Sequence, residues 1–127
     1  MHDADVWKTI SALAETFEVR DAGRGVAPEE QWTLQVLKIG EEFGEAAQAV
    51  IGVRGTNPRK GTSHTWEDVQ AEVADTIITA MVALTRMRPD DAAEYFARQL
   101  ALKSDRFLTR QDPPGKAVLP ADRSPAP

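Results

Sequence analysis

The chain has no cysteine among its 127 residues, so it holds no disulfide framework, no thiolate nucleophile and no zinc–thiolate site. It also lacks a surplus of basic residues. With 15 Lys and Arg against 20 Asp and Glu, the net charge is -5, which argues against a general nucleic-acid binder, because such proteins neutralise phosphates with excess cations. A small anionic ligand remains allowed, since local positive charge or a bound metal suffices for it. Long apolar runs are missing too. The longest apolar-leaning stretch, Thr76 to Thr85, is too short and interrupted to span a bilayer. The start, Met1-His2-Asp3-Ala4-Asp5, has neither the basic head nor the apolar stretch of a signal peptide, so the cytoplasm is the expected compartment.

What is present suits a globular fold: 42% apolar and 28% charged residues exclude wholesale disorder, and the length matches one domain. No stretch alternates in the manner of a strand; the signals are helical. Val6, Ile10, Leu13 and Phe17 recur at helical spacing between Asp5 and Glu18, and Asp21 to Gly25 reads as a loop. Pro28 followed by Glu29 and Glu30 starts a second helix. This helix runs to about Val50 with Trp32, Val36, Ile39, Phe43, Ala46 or Ala47, and Val50 as its apolar, core-facing stripe. Gly52, Gly55, Asn57-Pro58 and Gly61 end it. Thr65 with Asp68 resembles a capping box and opens a third helix to about Met87. Pro89, Asp90 and Asp91 start a fourth, to about Arg110. Residues 1–110 are thus expected to form an all-α domain of four helices. The last 17 residues, with five of the eight prolines, read as a disordered, Pro-rich C-terminal tail over 111–127.

Two pairs of acids stand out. On the second helix Lys38, Glu41, Glu42 and Glu45 share an arc opposite the apolar stripe, and by themselves read equally as a solvated polar face. The third helix is apolar around most of its circumference, yet carries Glu72 and Asp75. Carboxylates in such a helix need a cation, because desolvating an unpaired charge costs several kcal/mol or more. Acids three residues apart project to one point, so two crossing helices deliver four to one pocket. An oxygen-only set selects magnesium, with manganese as a substitute, over zinc, and such ions serve displacement at phosphorus. A di-iron bundle would need Glu-x-x-His on two helices. The two histidines, His2 and His64, do not stand three residues after a Glu.

The run Lys38-x-x-Glu41-Glu42-x-x-Glu45, then twenty-six residues, then Glu72-x-x-Asp75, resembles the signature of the MazG-like all-α nucleoside triphosphate pyrophosphohydrolases. The likeness covers roughly Trp32 to Arg106. It implies a four-helix MazG-like bundle that hydrolyses a nucleoside or deoxynucleoside triphosphate between the α- and β-phosphates, often to clear non-standard or surplus nucleotides, with magnesium held by Glu42, Glu45, Glu72 and Asp75. Glu41 matches an extra ligand or the group that orients the attacking water. The related phosphoribosyl-ATP pyrophosphatases usually carry a His shortly after the second acid pair, and here Asp75 to Met81 has none, which counts against that branch.

A triphosphate substrate calls for cations around the metals. Lys38 beside the glutamates, Arg54 and Lys60 or Arg59 in the linker, and Lys103 and Arg106 on the fourth helix are the candidates. Lys103 shares a face with Phe96, Leu100 and Phe107, so it either meets phosphate or snorkels to water; Arg106 matches a basic residue in many relatives. Trp66 and His64, at the start of the third helix, are candidates for a base pocket, whereas Trp32 reads as core. A third helix apolar on nearly all sides needs more cover than three short neighbours give, so a homodimer or dimer of dimers is expected. A second function stays open beside the enzyme: a non-catalytic helical dimer that binds nucleotide or a protein partner.

Overall fold

A computed structural model describes residues 2–108, all of whose regular structure is α-helical. Helix α1 spans Asp3–Gly23, α2 Pro28–Arg54, α3 Trp66–Met87 and α4 Ala92–Leu108. Among the described residues there is no strand, and no helix is long and apolar enough to cross a membrane. The expected tail, 111–127, lies outside the described residues, as does the expected end of α4 at Arg110. Two units are distinguished, Met1–Ala92 and Ala93–Pro127.

In the first unit the helix starts follow local chemistry. Asp3 and Asp5 occupy the first turn of α1, and Glu29 and Glu30 follow Pro28 in α2, where carboxylates meet the positive end of the dipole. At α3 the Thr65 hydroxyl accepts the Asp68 N–H (3.2 Å) and the Asp68 carboxylate accepts the Thr65 N–H (2.9 Å), a reciprocal cap. These bonds, led by the backbone one, hold the Asp68 carboxyl below its usual value. Two helices run further than their glycines suggest. α1 continues through Asp21, Ala22 and Gly23, and turns only at Gly25 (φ 76°). α2 passes through Gly52 to Arg54 and ends at Gly55, whose left-handed conformation (φ 61°) glycine adopts without strain. The last helix starts later than expected: Pro89 to Asp91 form a turn, closed by a two-pronged Arg88–Asp91 ion pair (2.9 and 2.6 Å).

α1 packs on α3 through Ile10, Ala14 and Val82, flanked by Val6, Trp7, Leu13, Phe17 and Met81. α2 lies antiparallel to α3: the start of α2 meets the end of α3 where Arg86 bonds Gln31 and Gln35, and the end of α2 meets the approach to α3 where Ser63 N–H bonds the Gly52 carbonyl. Its inward edge is Gln31, Gln35, Ala49 and Gly52. The apolar stripe expected to face the core instead stands outward: Trp32 is 36% and Phe43 65% exposed, and Val36 and Val50 are exposed as well. On α3, Val73, Ile77 and Ile78 are exposed too. The physical reason is that Arg86 needs acceptors, and the glutamines on the polar edge of α2 supply them.

Candidate metal centre

Midway along the antiparallel α2–α3 pair, Glu42, Glu45 and Glu72 each present a carboxylate oxygen within 4.8 Å of the others. Helix periodicity puts Glu42 and Glu45 on neighbouring ridges of α2, and α3 brings Glu72 across from them. The Glu42 side chain is only 14% exposed, Glu72 is half-buried and Glu45 is exposed. Glu72 Oε2 is fully buried and has no hydrogen-bond partner among the described residues. An orphaned carboxylate oxygen is costly, and like charges ~4 Å apart repel by about 4 kcal/mol even at an effective dielectric of 20.

One cation stands near. Lys38 Nζ lies 3.6 Å from Glu42 Oε1 and 3.8 Å from Glu41 Oε2, on the exposed side of the cluster. It reaches neither Glu45 nor the orphaned oxygen of Glu72 within ion-pair distance. The donor set is therefore three hard oxygens with a surplus of negative charge, which fits a divalent cation of the magnesium or manganese class and not a soft metal.

The remaining candidates divide. Glu41, 65% exposed, stands at the rim held by Lys38. Asp75 is exposed on α3 and lies outside the close trio. Arg54, the last residue of α2, is exposed, as is Arg59, whose N–H is tied to the Asn57 side chain (3.1 Å). Lys60 and His64 come together with Gln48, Asn57 and Ser63 around a cavity of about 150 Å³, where Ser63 Oγ and His64 Nδ1 are 2.8 Å apart. Trp66 is exposed at the first residue of α3. Lys103 and Arg106 belong to α4, which falls in the second unit, and both are exposed. Trp32, expected in the core, borders an open cavity of about 460 Å³.

Sequence reasoning missed a second polar centre. Arg86, with a side chain 3% exposed, donates to Gln31 Oε1 (2.6 Å), Gln35 Oε1 (3.0 Å) and Asp21 Oδ2 (2.9 Å). Burial pushes the Asp21 carboxyl up, but hydrogen bonds from Arg86 and Arg20, with their charges, outweigh it and hold the group below its ordinary value. The available signal was an Arg alone among the basic types in α3, opposite a Gln31/Gln35 pair at i,i+4. No protein-family model, curated protein or solved structure matches this chain.

Proposed function

We propose that the chain is a magnesium-dependent nucleoside triphosphate pyrophosphohydrolase, which splits a nucleoside or deoxynucleoside triphosphate at the α–β anhydride into monophosphate and pyrophosphate and so clears unwanted nucleotides. The observation that carries this reading is the buried, partnerless Glu72 Oε2 within a trio of convergent carboxylates; the resemblance of the acid spacing to the MazG-like enzymes supplies the reaction.

Glu42, Glu45 and Glu72 are the ligands, and Asp75, one turn along α3, is the fourth in this reading. Bound there, magnesium (or manganese in its place) offsets the charge of the phosphate oxygens and of the leaving pyrophosphate. The chain's own residues position and exclude. Lys38 holds Glu41 and Glu42 in place and sets a positive charge at the rim for a phosphate oxygen. Glu41, exposed beside it, orients the attacking water and accepts its proton as water adds across the anhydride and the bridging oxygen leaves with its electron pair. Arg54 at the end of α2 and Lys60 beyond it are the further phosphate contacts of this reading, and His64 and Trp66 its contacts to the rest of the nucleotide.

The reading includes a homodimer, or a dimer of dimers, that covers the outward apolar face of α2 and α3. That face also favours a second reading, a helical dimer that binds nucleotide or a protein partner without turnover. Incubating the protein with standard, deoxy and oxidised nucleotides plus magnesium, and identifying the products, separates the two. Monophosphate with pyrophosphate is expected; diphosphate with orthophosphate, or no turnover across the panel, overturns the assigned reaction. Titration with manganese should further show a site weakened in Glu72→Gln by more than the ~10–100-fold that loss of an outer-shell partner costs.

A further inference from the structure

The carboxylate trio lies between two cavities on the same side of α2. The first, about 180 Å³, is bounded by Leu13, Phe17 and Arg20 of α1, Gln35 and Lys38 of α2, and Thr79 of α3. The second, about 150 Å³, is the cavity of Gln48, Asn57, Lys60, Ser63 and His64. At 100° per residue, Gln35, Lys38, Glu42, Glu45, Gln48 and Gly52 fall within less than half a turn of α2, so the two cavities and the trio form one track along the helix. Lys38 belongs both to the first cavity and to the Glu42 ion pair, and Gln48 follows Glu45 by one turn.

We infer that this track fixes the direction of the bound nucleotide, with base and sugar in the Phe17/Gln35 cavity and the terminal phosphates in the Lys60/His64 cavity. The inference rests on the pyrophosphohydrolase reading above, and it moves the base contacts of that reading from His64 and Trp66 to Phe17 and Gln35.

Charge compensation decides the direction. The cations of the first cavity are already matched: Arg20 Nε lies 3.3 Å from Asp21 Oδ1 and Lys38 lies near Glu41 and Glu42. Lys60 has no ion pair among the described residues, and its cavity gathers amide, hydroxyl and imidazole groups beside Ile51. A dianionic phosphate end belongs with the unmatched cation and the polar groups beside it; a neutral heterocycle belongs where charge is compensated and Leu13, Phe17, Ile78 and Val82 line the wall.

The first cavity also has the chemistry of a base site. The Arg20 guanidinium lies 5.0 Å over the Phe17 ring, so two flat groups that can stack on a base border the cavity. Gln35 Oε1 accepts from Arg86, and guanidinium can only donate, so the amide cannot turn over. Its NH2 is the part left to address a ligand, as a donor to a base carbonyl. Reach agrees: Gln35 precedes Glu42 by seven residues, ~10 Å of helix, which a sugar and its phosphate can span. Trp32, with the larger cavity, stands ten residues away, ~15 Å, too far for a base whose α-phosphate sits at the trio.

The two products report the two ends separately. Nucleoside monophosphate keeps the base and α-phosphate, and pyrophosphate keeps the terminal phosphates, so each is titrated calorimetrically, in magnesium, into the full-length protein and two variants. Phe17→Leu retains apolar bulk but removes the ring; it should weaken monophosphate about tenfold or more, as loss of an aromatic base platform does, and leave pyrophosphate within about twofold. Lys60→Ala, at an exposed position, should do the reverse. The inference is overturned if Lys60→Ala weakens monophosphate while sparing pyrophosphate, or if the variants weaken both products alike or neither. An unsubstituted protein that neither turns over triphosphate nor binds either product overturns the reaction itself, an outcome visible before any variant is compared.

Discussion

Arg86 shows how one residue can set the packing of two helices. A guanidinium taken out of water must find acceptors for its donors, and the fold supplies Gln31, Gln35 and Asp21. Removing one partner of a buried ion pair leaves the other charge uncompensated. Asp21→Asn is therefore expected to destabilise the protein by about 3 kcal/mol, the low end for a broken buried pair, because Arg86 keeps both glutamines. The pH dependence follows from the lowered Asp21 carboxyl. A carboxyl whose folded value lies below its unfolded one stabilises fully above the unfolded value, ~3.9 for Asp, and loses that contribution as pH falls through the folded value. Chemical denaturation from neutral to strongly acid pH should show the gap between the unsubstituted protein and Asp21→Asn narrowing below the ordinary Asp range; a gap constant with pH would assign the effect to packing alone. The acid pairs were legible in the sequence in just this limited sense. The i,i+3 spacing announces that Glu72 and Asp75 point the same way, but not that Glu72 alone turns an oxygen into the α2 contact while Asp75 stays in solvent. That difference depends on how α3 is rotated against α2, a pair tied at its far end by the Arg86 bonds to Gln31 and Gln35.

The starts of α2 and α3 and the end of α3 at Met87 were readable, and the ends of α1 and α2 were not, for a definite reason. Starts carry their own chemistry, as in Pro28-Glu29-Glu30 and in the Thr65/Asp68 cap. The ends of α1 and α2 were placed by glycine, and glycine inside a helix costs only ~1 kcal/mol relative to alanine, which tertiary contacts readily offset. At Gly52 the contact is visible: a Cβ added there would collide with the His64 ring and with Ser63 Oγ, while the Gly52 carbonyl accepts the Ser63 N–H at 3.0 Å. The glycine lets the segment before α3 lie directly on α2, which is what brings His64 and Lys60 beside Gln48. Gly52→Ala sets two terms against each other. Helix propensity favours alanine by ~1 kcal/mol, and overpacking against an imidazole and a hydroxyl disfavours it by ~1–3 kcal/mol. The second term is expected to win, with net destabilisation of about 1 kcal/mol and faster amide exchange in residues 57–64, measured by hydrogen exchange with mass spectrometry. Stabilisation by the alanine would show that the segment moves aside at little cost. The late start of α4 has the same origin as the misread ends: Pro89 and two aspartates suit a helix start and a turn equally, and the Arg88–Asp91 ion pair selects the turn.

The hydrophobic pattern of α2 was correctly seen but assigned to the wrong neighbour. A periodic apolar stripe says that something covers it, not that the same chain does. Here the polar edge of α2 is engaged by Arg86 and the carboxylate trio, and the apolar edge is left outside: Phe43, Val50 and Ile51 of α2 join Val73 and Ile77 of α3 around a groove of about 540 Å³. In the proposed homodimer a second copy covers it, because an isologous contact would lay the same stripe against itself, and Ala46 and Ala47 beside Phe43 would let two such helices approach closely. At 100° per residue Glu45 lies across α2 from Phe43 and Val50, so assembly through the stripe would leave that side of α2 open in both copies. Light scattering on the eluting peak should give at least twice the 13.9 kDa of one chain. A charge placed in a buried apolar contact is costly, so Phe43→Glu should shift the mass towards one chain at micromolar concentration. A monomeric unsubstituted protein would show that the stripe is covered by something other than a second copy, and Phe43→Glu that keeps the full mass would place the dimer contact elsewhere. Manganese affinity measured on the dissociated Phe43→Glu protein then tests the separation of the two faces: an affinity within about twofold of the assembled protein is expected if one chain supplies all the ligands, and a loss of tenfold or more would mean that assembly completes the metal site.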